Sequence, residues 1–518
     1  MRSSNYFAGI DAGTTGTTVM LVDLSGEVIE SSYREYPCTY PHPGWVEQDI
    51  VLVWEMICKA SQEIFYRTGI NPIDVLSIGV SSQRGTFVCV DSTGSPLHNS
   101  IVWNDCRASD QASRLSEKID PENYQRITGM PISALWAAPK IMWLVENRPD
   151  IIEETYKIIN GQEYILGRLG TETLFSDPSS LTLNGMMDID CLDWSDKVIS
   201  ALGLPMEKFP KMVTPSRQEG VVSGKASSET GFAKGTPVCR GGGDQQCAAI
   251  GAGIITEGMA EITIGTAAMM VAHIDSRKED PKKYAYIGGN AIPKKWDMEG
   301  GAFASGACLR WWRDTFGQME IETATRQGLD VYEVMTHEAS KAPPGCKGHL
   351  FFPFLNGQVT PTYDSCARGG TLGLTLAHDR STMIRSVLEG TAFELKMVVE
   401  ALEKVLGRPF DVVRLTGGGA KSELWTQIQS DIYGRPIETL QIAECTTFGA
   451  AILGAFAAGV FSSIEEAVVT IVKPRSSIEP NTKNVELYDE LYSIFHDTYQ
   501  LLREARVYER MSQIQNRL

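Results

Sequence analysis

The sequence predicts a mixed α/β protein built from two similar halves, and three observations carry that prediction. The chain has 518 residues, and at roughly 100–200 residues per domain this allows two or three domains with ample core. Strand-like and helix-like stretches alternate along its length, which is the pattern of α/β layers. A hairpin pattern also recurs about half a chain later. Residues 6–10 and 19–23 are β-rich runs around Asp11-Ala12-Gly13-Thr14-Thr15-Gly16; residues 259–264 and 267–271 flank Gly265-Thr266 in the same way. Laid together, Ala8 falls on Ala260, Gly13-Thr14 on Gly265-Thr266, and Asp11 on Thr263.

Taken in order, residues 75–80, 86–90 and 412–415 read as further strands. Residues 52–67, 137–146, 379–406 and 485–510 read as helices. In 105–130 and 274–300 the periodicity is too weak to assign. The boundary is expected near Gly251-Ala252-Gly253, which divides the chain into 1–252 and 253–518. Residues 445–464 carry no charge and are mostly Gly, Ala, Ser and Thr. A membrane span needs about 20 predominantly apolar residues. This stretch is therefore expected to be a helix buried in the α/β core, its small residues permitting close approach to a sheet.

Composition narrows the function classes. A hydrophobic fraction of 43% with 21% charged residues is ordinary for a globular protein. The formal charge of −17 argues against nucleic acid or an anionic membrane surface as partner. Eleven scattered cysteines with no CxxC pair argue against a zinc site or a disulfide framework. They suggest a reducing, cytoplasmic setting. Met1 to Asn5 lead into a strand-like run without an apolar segment, so no signal peptide is expected.

Gly-rich turns with Thr hydroxyls can present several donors to a phosphate. The first turn adds Asp11, and Mg²⁺ commonly uses one or two carboxylates plus phosphate oxygens. The other reading of either turn is an ordinary hairpin that uses Gly for positive φ. A third Gly-rich element, Thr416-Gly417-Gly418-Gly419, follows a strand and opens a helix, at neither P-loop nor dinucleotide-fold spacing. At the seam of the halves stands Gly241-Gly242-Gly243-Asp244-Gln245-Gln246, read as a turn. Asp244 either takes a proton from a substrate hydroxyl or caps a helix over 245–250.

Together these pieces resemble the FGGY family of carbohydrate kinases over nearly the whole chain. The resemblance also rests on Ser82-Gln83-Arg84-Gly85, Trp103-Asn104-Asp105-Cys106-Arg107, Gly306 to Trp311 and Arg368 to Leu374. It implies two actin-like (RNase H-like) ATPase domains flanking a central cleft, with ATP and Mg²⁺ as cofactors. Asp244 would be the general base and Asp11 would hold Mg²⁺. Gly13, Thr14, Thr15 and Thr266 would contact the ATP phosphates, while Gly306, Arg310, Gly418, Gly419 and Ser422 would line the nucleoside site. Gln83, Arg84, Trp103, Asp105 and Gln245 would line the sugar site; apart from the resemblance, Arg84 also reads as a salt-bridged loop residue and Asn104-Asp105 as a turn. Trp103 sits in a run that itself reads as strand.

The pattern looks most like xylulokinases and their relatives, so the expected acceptor is a ketopentose such as D-xylulose. Glycerol, erythritol and autoinducer kinases are the alternatives within the family, and an actin-like or chaperone-type nucleotide switch is the alternative outside it. Many xylulokinases carry Met-His where this chain has Gln83-Arg84. Gly85 stands where glycerol kinases carry Glu, and the second turn reads Gly265-Thr266-Ala267-Ala268 in place of Gly-Thr-Ser-Gly. A regulator that lost catalysis would need a DNA-binding element, and none is visible. The partner is a small sugar or polyol, and relatives of this kind are often homodimers.

Overall fold

The computed structural model describes residues 5–515 and 517; the opening Met1–Ser4, part of the signal-peptide reading, lie outside them. Both predicted hairpins form. Tyr6–Ala12 pairs antiparallel with Gly16–Asp23, Ile10 opposite Val19, and Met259–Ile264 pairs with Ala268–Ile274, Ile262 opposite Met270. Each hairpin is the centre of a larger sheet.

The first sheet runs Gln218–Val221, Pro237–Gly243, Val75–Ser82, Tyr6–Ala12, Gly16–Asp23, Val28–Glu35. The second runs Pro474–Ile478, Ile437–Leu440, Val412–Thr416, Met259–Ile264, Ala268–Ile274, Trp296–Ala302, with Tyr286–Gly289 added at the far edge. From the first strand to the sixth, both sheets pair antiparallel, parallel, parallel, antiparallel, antiparallel. The sequence repeat is therefore a repeat of topology. The central parallel strands, buried on both faces as βαβ crossovers require, are apolar almost throughout, as in Phe7, Ala8 and Ile10 or Ile78 and Val80.

The uncharged stretch after Glu444 becomes the helix Cys445–Ala457, and ten of its residues are buried. It lies on Tyr6–Ala12, Val75–Ser82 and Pro237–Gly243, so a helix from late in the chain covers the N-terminal sheet. No helix among the described residues is long and apolar enough to cross a membrane. Glycine sets how close it comes. A Cβ on Gly79 would lie 1.8 Å from the Ala450 carbonyl oxygen, and one on Gly9 2.1 Å from that of Thr447. The same helix crosses Asp244–Gly251, its counterpart after Pro237–Gly243, in a reciprocal contact. A Cβ on Gly449 would meet Cys247 O at 1.8 Å, and one on Gly251 would meet Cys445 O at 2.1 Å. These two helices are the joint between the halves.

Further contacts close the seam. Ser216 Oγ donates to Ala291 O (2.7 Å), Trp296 Nε1 to Ile189 O (2.7 Å) and Ile287 N to Gly129 O (3.2 Å). The predicted helices form as Ile50–Thr68, Ala137–Asn147 and Arg380–Leu406. The tail is two helices, Thr482–Glu504 and Val507–Gln515, broken where Arg506 takes a positive φ of 55°. The unassigned stretches hold the helices Ser109–Lys118 and Pro121–Thr128 and the strands Tyr286–Gly289 and Trp296–Ala302. All eleven cysteines are unpaired.

Candidate active site between the halves

Gly13 N donates to Gly16 O at 3.0 Å and closes the first turn; Gly265 N donates to Ala267 O at 2.9 Å and closes the second. Neither glycine has a positive φ. A Cβ on Gly13 would find its nearest neighbour at 3.4 Å, and one on Gly265 at 3.6 Å, both ordinary contacts. Neither backbone strain nor crowding within the protein demands glycine here, and the space beside each turn is open. Thr14, Thr15 and Thr266 have backbone N–H groups with no acceptor among the described residues. Unpaired N–H groups on a Gly-Thr turn are what an anion needs.

Asp11 is the penultimate residue of the strand Tyr6–Ala12, and its Oδ1 is buried without a hydrogen-bond partner among the described residues. Burial, and then the charges of Glu444 and Asp244, push its pKa up to about 8. An orphaned carboxylate oxygen beside a phosphate turn fits a hard, oxygen-seeking divalent cation. Among the described residues no three His, Cys, Asp or Glu side chains form a metal cage. In the second turn Thr263 occupies the equivalent place, and its polar group is satisfied. Its hydroxyl donates to Glu261 and lies 3.0 Å from the Thr416 hydroxyl, which also donates to Glu261. Burial raises the pKa of Glu261 to about 7.

Beside the second turn lies a cavity of about 900 Å³, lined by Thr266, Gly306, Arg310, Gly418, Gly419 and Ser422. Every residue expected at the nucleoside site is therefore in one place. Gly306, in the first turn of the helix Ser305–Phe316, donates its N–H to Gly265 O at 3.0 Å. A Cβ there would stand 2.2 Å from that oxygen, so glycine lets the helix end abut the turn. Ser422 caps the helix Glu423–Tyr433 by accepting from Trp425 N. The far wall, Asp330, Glu333 and His337, comes from the helix Val331–Ala339 and its cap and had no sequence signal.

The three glycines before Asp244 are not a turn; they finish the buried strand Pro237–Gly243. Packing requires them. A Cβ on Gly241 would lie 2.6 Å from Val80 O, and one on Gly243 2.4 Å from the Cδ of Arg84, which crosses directly over it. Asp244 is the first residue of its helix and does not cap it; Gly243 does. Its Oδ1 accepts from Arg84 Nε (3.0 Å) and Gln245 N (2.8 Å). Oδ2 has no protein partner, and the side chain is 27% exposed. Burial raises the Asp244 pKa against the opposing pull of Arg84, so the carboxylate is poised to accept a proton.

Arg84 does not offer a free guanidinium to the cleft. Its terminal nitrogens grip both oxygens of Glu299, at 2.5 and 2.8 Å, and both side chains are almost fully buried. Gln83 accepts from the Thr14 hydroxyl (2.8 Å) and donates to Gln48 (2.9 Å), while Trp103 Nε1 donates to Thr14 Oγ1 (3.0 Å). Thr14, expected at the phosphates, and Gln83 and Trp103, expected at the sugar, are thus one hydrogen-bonded unit. Trp103 sits in a turn past the strand Ser100–Ile101, not in a strand. Gln245 Oε1 is buried without a partner.

Asp105 departs from expectation. It is fully buried, with Oδ2 accepting from Val46 N (2.6 Å) and Arg107 (2.8 Å) and Oδ1 accepting from Arg107 N (2.9 Å). It braces the loop behind Trp103 and offers no free oxygen to a ligand. Glu299 is the residue that sequence reasoning missed. Its signal was the pair Asp297 and Glu299, two acids on one face of a strand that the weak periodicity of 274–300 concealed.

Residues 6–251 match the model for the FGGY family of carbohydrate kinases, N-terminal domain, and residues 260–458 match that for the C-terminal domain. The chain is 30% identical over 499 residues to the gluconokinase of Bacillus subtilis (strain 168), covering 96% of each. It is 28% identical over 494 residues to the xylulose kinase of the same organism, covering 95% of this chain and 96% of that one. The ligand-bound xylulose kinase of Lactobacillus acidophilus superposes with a TM-score of 0.88 at 25% identity, covering 98% of this chain and 100% of that chain.

Proposed function

Because the chain belongs to the FGGY family of carbohydrate kinases, we propose that it phosphorylates an uncharged ketose or polyol, with D-xylulose the first candidate. That it is an ATP-using phosphotransferase acting on a sugar hydroxyl follows from the family. The acceptor is the open point, because relatives of similar identity are named for gluconate, xylulose and glycerol.

One observation supports a neutral acceptor. The cationic side chains at Asp244 and in the segment of Trp103 are already engaged. Arg84 is held by Glu299 and Asp244. Lys140 is buried behind Trp103, its ammonium donating to the carbonyls of Val102 (2.8 Å) and Trp103 (2.6 Å). Arg107 is paired with Asp105 and Glu47. An aldonate would bring a further negative charge to a site with no free partner, and an unpaired buried charge is costly. Glycerol is less favoured, because Gly85 supplies no carboxylate. Its φ of 70° and neighbours at 3.2–3.3 Å from a would-be Cβ leave a side chain little room.

Phosphoryl transfer asks the protein mainly for positioning and charge neutralisation. Asp244 Oδ2 takes the proton of the acceptor hydroxyl. The free N–H groups of Thr14, Thr15 and Thr266 receive phosphate oxygens, and the Trp103 indole walls the acceptor's carbon chain. Asp11 would hold Mg²⁺, which supplies neutralising charge for the phosphates when bound. Contact between the halves keeps water from competing with the sugar hydroxyl. The eleven unpaired cysteines support a cytoplasmic setting.

An ADP-release assay across D-xylulose, D-ribulose, glycerol, erythritol and gluconate tests the proposal. Stimulation by a ketose or neutral polyol and none by gluconate is expected. Gluconate as the best acceptor would overturn the charge argument, and no stimulation by any compound would favour a nucleotide switch.

A further inference from the structure

Asp244 is held by Arg84 and by the backbone N–H of Gln245, and Arg84 is itself held by a residue from the other half. Arg84 donates from Nε to Asp244 and from its two terminal nitrogens to Glu299. Gln246, one helical step past Gln245, donates from Nε2 to Glu299 Oε1 at 2.8 Å. Glu299 belongs to the strand Trp296–Ala302 of the second sheet, whereas Arg84, Asp244 and Gln246 belong to the N-terminal half. It is fully buried, and Asp297, on the same face of that strand, is bonded to Asn290 instead.

A guanidinium bound bidentately has its plane fixed by the two parallel bonds. With that plane fixed by Glu299, Arg84 has one direction left for its Nε–H, toward Asp244 Oδ1. Oδ1 is thereby occupied and Oδ2 is the oxygen presented. We propose that Glu299 is a positioning residue: contributed by the C-terminal half, it locks Arg84 against Asp244 and so aims the base when the halves are in contact. The grip needs both halves, which links aiming of the base to closure of the cleft. This rests on the reading of Asp244 as the base.

Three variants test it: Glu299→Gln, Arg84→Met and the pair together. Glu299→Gln keeps the size of the side chain and loses the two-bond grip. It should lower kcat roughly 10- to 100-fold, as loss of orientation at a proton acceptor does, with KM for ATP and for the acceptor changed less than about threefold. Acting through Arg84, it should have no further effect once Arg84 is gone, so the double variant should match Arg84→Met within about threefold. The double variant also removes both members of the buried Arg84–Glu299 pair, so neither is left without the other. Parent-like kcat in Glu299→Gln, additive losses in the double variant, or losses in kcat and both KM values that track a lowered Tm would each overturn the proposal. Asp244→Asn in the same assay separates the two claims. An inactive Asp244→Asn beside a parent-like Glu299→Gln removes the aiming role alone, whereas an active Asp244→Asn removes the base and the aiming role together.

Discussion

Between the first turn at Gly13–Gly16 and the second at Gly265–Ala267 the hairpin repeats with its glycine placed where no positive φ requires it, although the second closes one residue shorter. The larger difference is the side chain near the end of the first strand and its company. Asp11 leaves a carboxylate oxygen buried and unpartnered, while Thr263 is tied into a ring with Glu261 and Thr416. Around them the neighbours differ too. The first turn is bonded through Thr14 to Gln83 and Trp103, and the second abuts Gly306 and the 900 Å³ cavity. On the proposed function, this is a duplicated phosphate cradle that has been divided, with the metal and acceptor on one side and the nucleoside on the other.

The sharpest way to break that division is to exchange the distinguishing side chains. Asp11→Asn should lower kcat about 10²–10³-fold, the scale of removing one strong electrostatic group from a reacting phosphate, and should abolish the Mg²⁺-dependent part of ADP binding seen by calorimetry. Thr263→Val should cost about 1–3 kcal/mol of stability, because Glu261 loses a donor, with kcat reduced less than about tenfold. Equal kinetic losses in the two variants would mean the turns share one task.

Glycine gives the next contrast. Gly306→Ala drives a Cβ to 2.2 Å from Gly265 O, so the helix must move off the turn and KM for ATP should rise roughly tenfold. Gly13→Ala meets nothing closer than 3.4 Å within the protein; its Tm should stay near the parent's while kcat/KM falls roughly tenfold. Unchanged activity in Gly13→Ala would show that the space is not kept for a phosphate.

The smallest effect is electrostatic. Glu261 has its pKa raised to about 7 by burial, above its unfolded value near 4.5. Its penalty is absent below pH ~4.5, grows as pH rises and levels off above pH ~7. Glu261→Gln is permanently neutral, so it should gain on the parent between those limits by roughly 1–3 kcal/mol. Thermal melts at pH 5 and pH 8 read this; an advantage that is larger at pH 5 would reverse the assignment.

Local pattern made much of this molecule legible. The hairpins, Asp11 and Asp244 stand out over fewer than a dozen residues, whereas Gly306, Arg310, Gly418, Gly419 and Ser422 come from the family resemblance. The helix Cys445–Ala457 was legible from composition alone, because only small residues let backbones approach within the distances found at Gly449 and Gly79. The remainder depends on contacts distant in sequence. Gly241–Gly243 reads as a turn until Arg84 is seen lying across it, and Arg84 reads as a ligand until Glu299, 215 residues away, is seen gripping it. Asp105 reads as a cleft residue until its hydrogen bond to Val46 is known. Side chains committed to each other across the fold leave no local trace of that commitment.

The central claim is that Asp244 accepts the acceptor's proton in a cleft whose ATP site is built elsewhere. Asp244→Asn, with turnover measured beside ATP affinity by calorimetry, tests it most directly. The account predicts ATP binding within about threefold of the parent and turnover lower by roughly 10²–10⁴-fold, about 3–5 kcal/mol of barrier. Turnover near the parent's would contradict it.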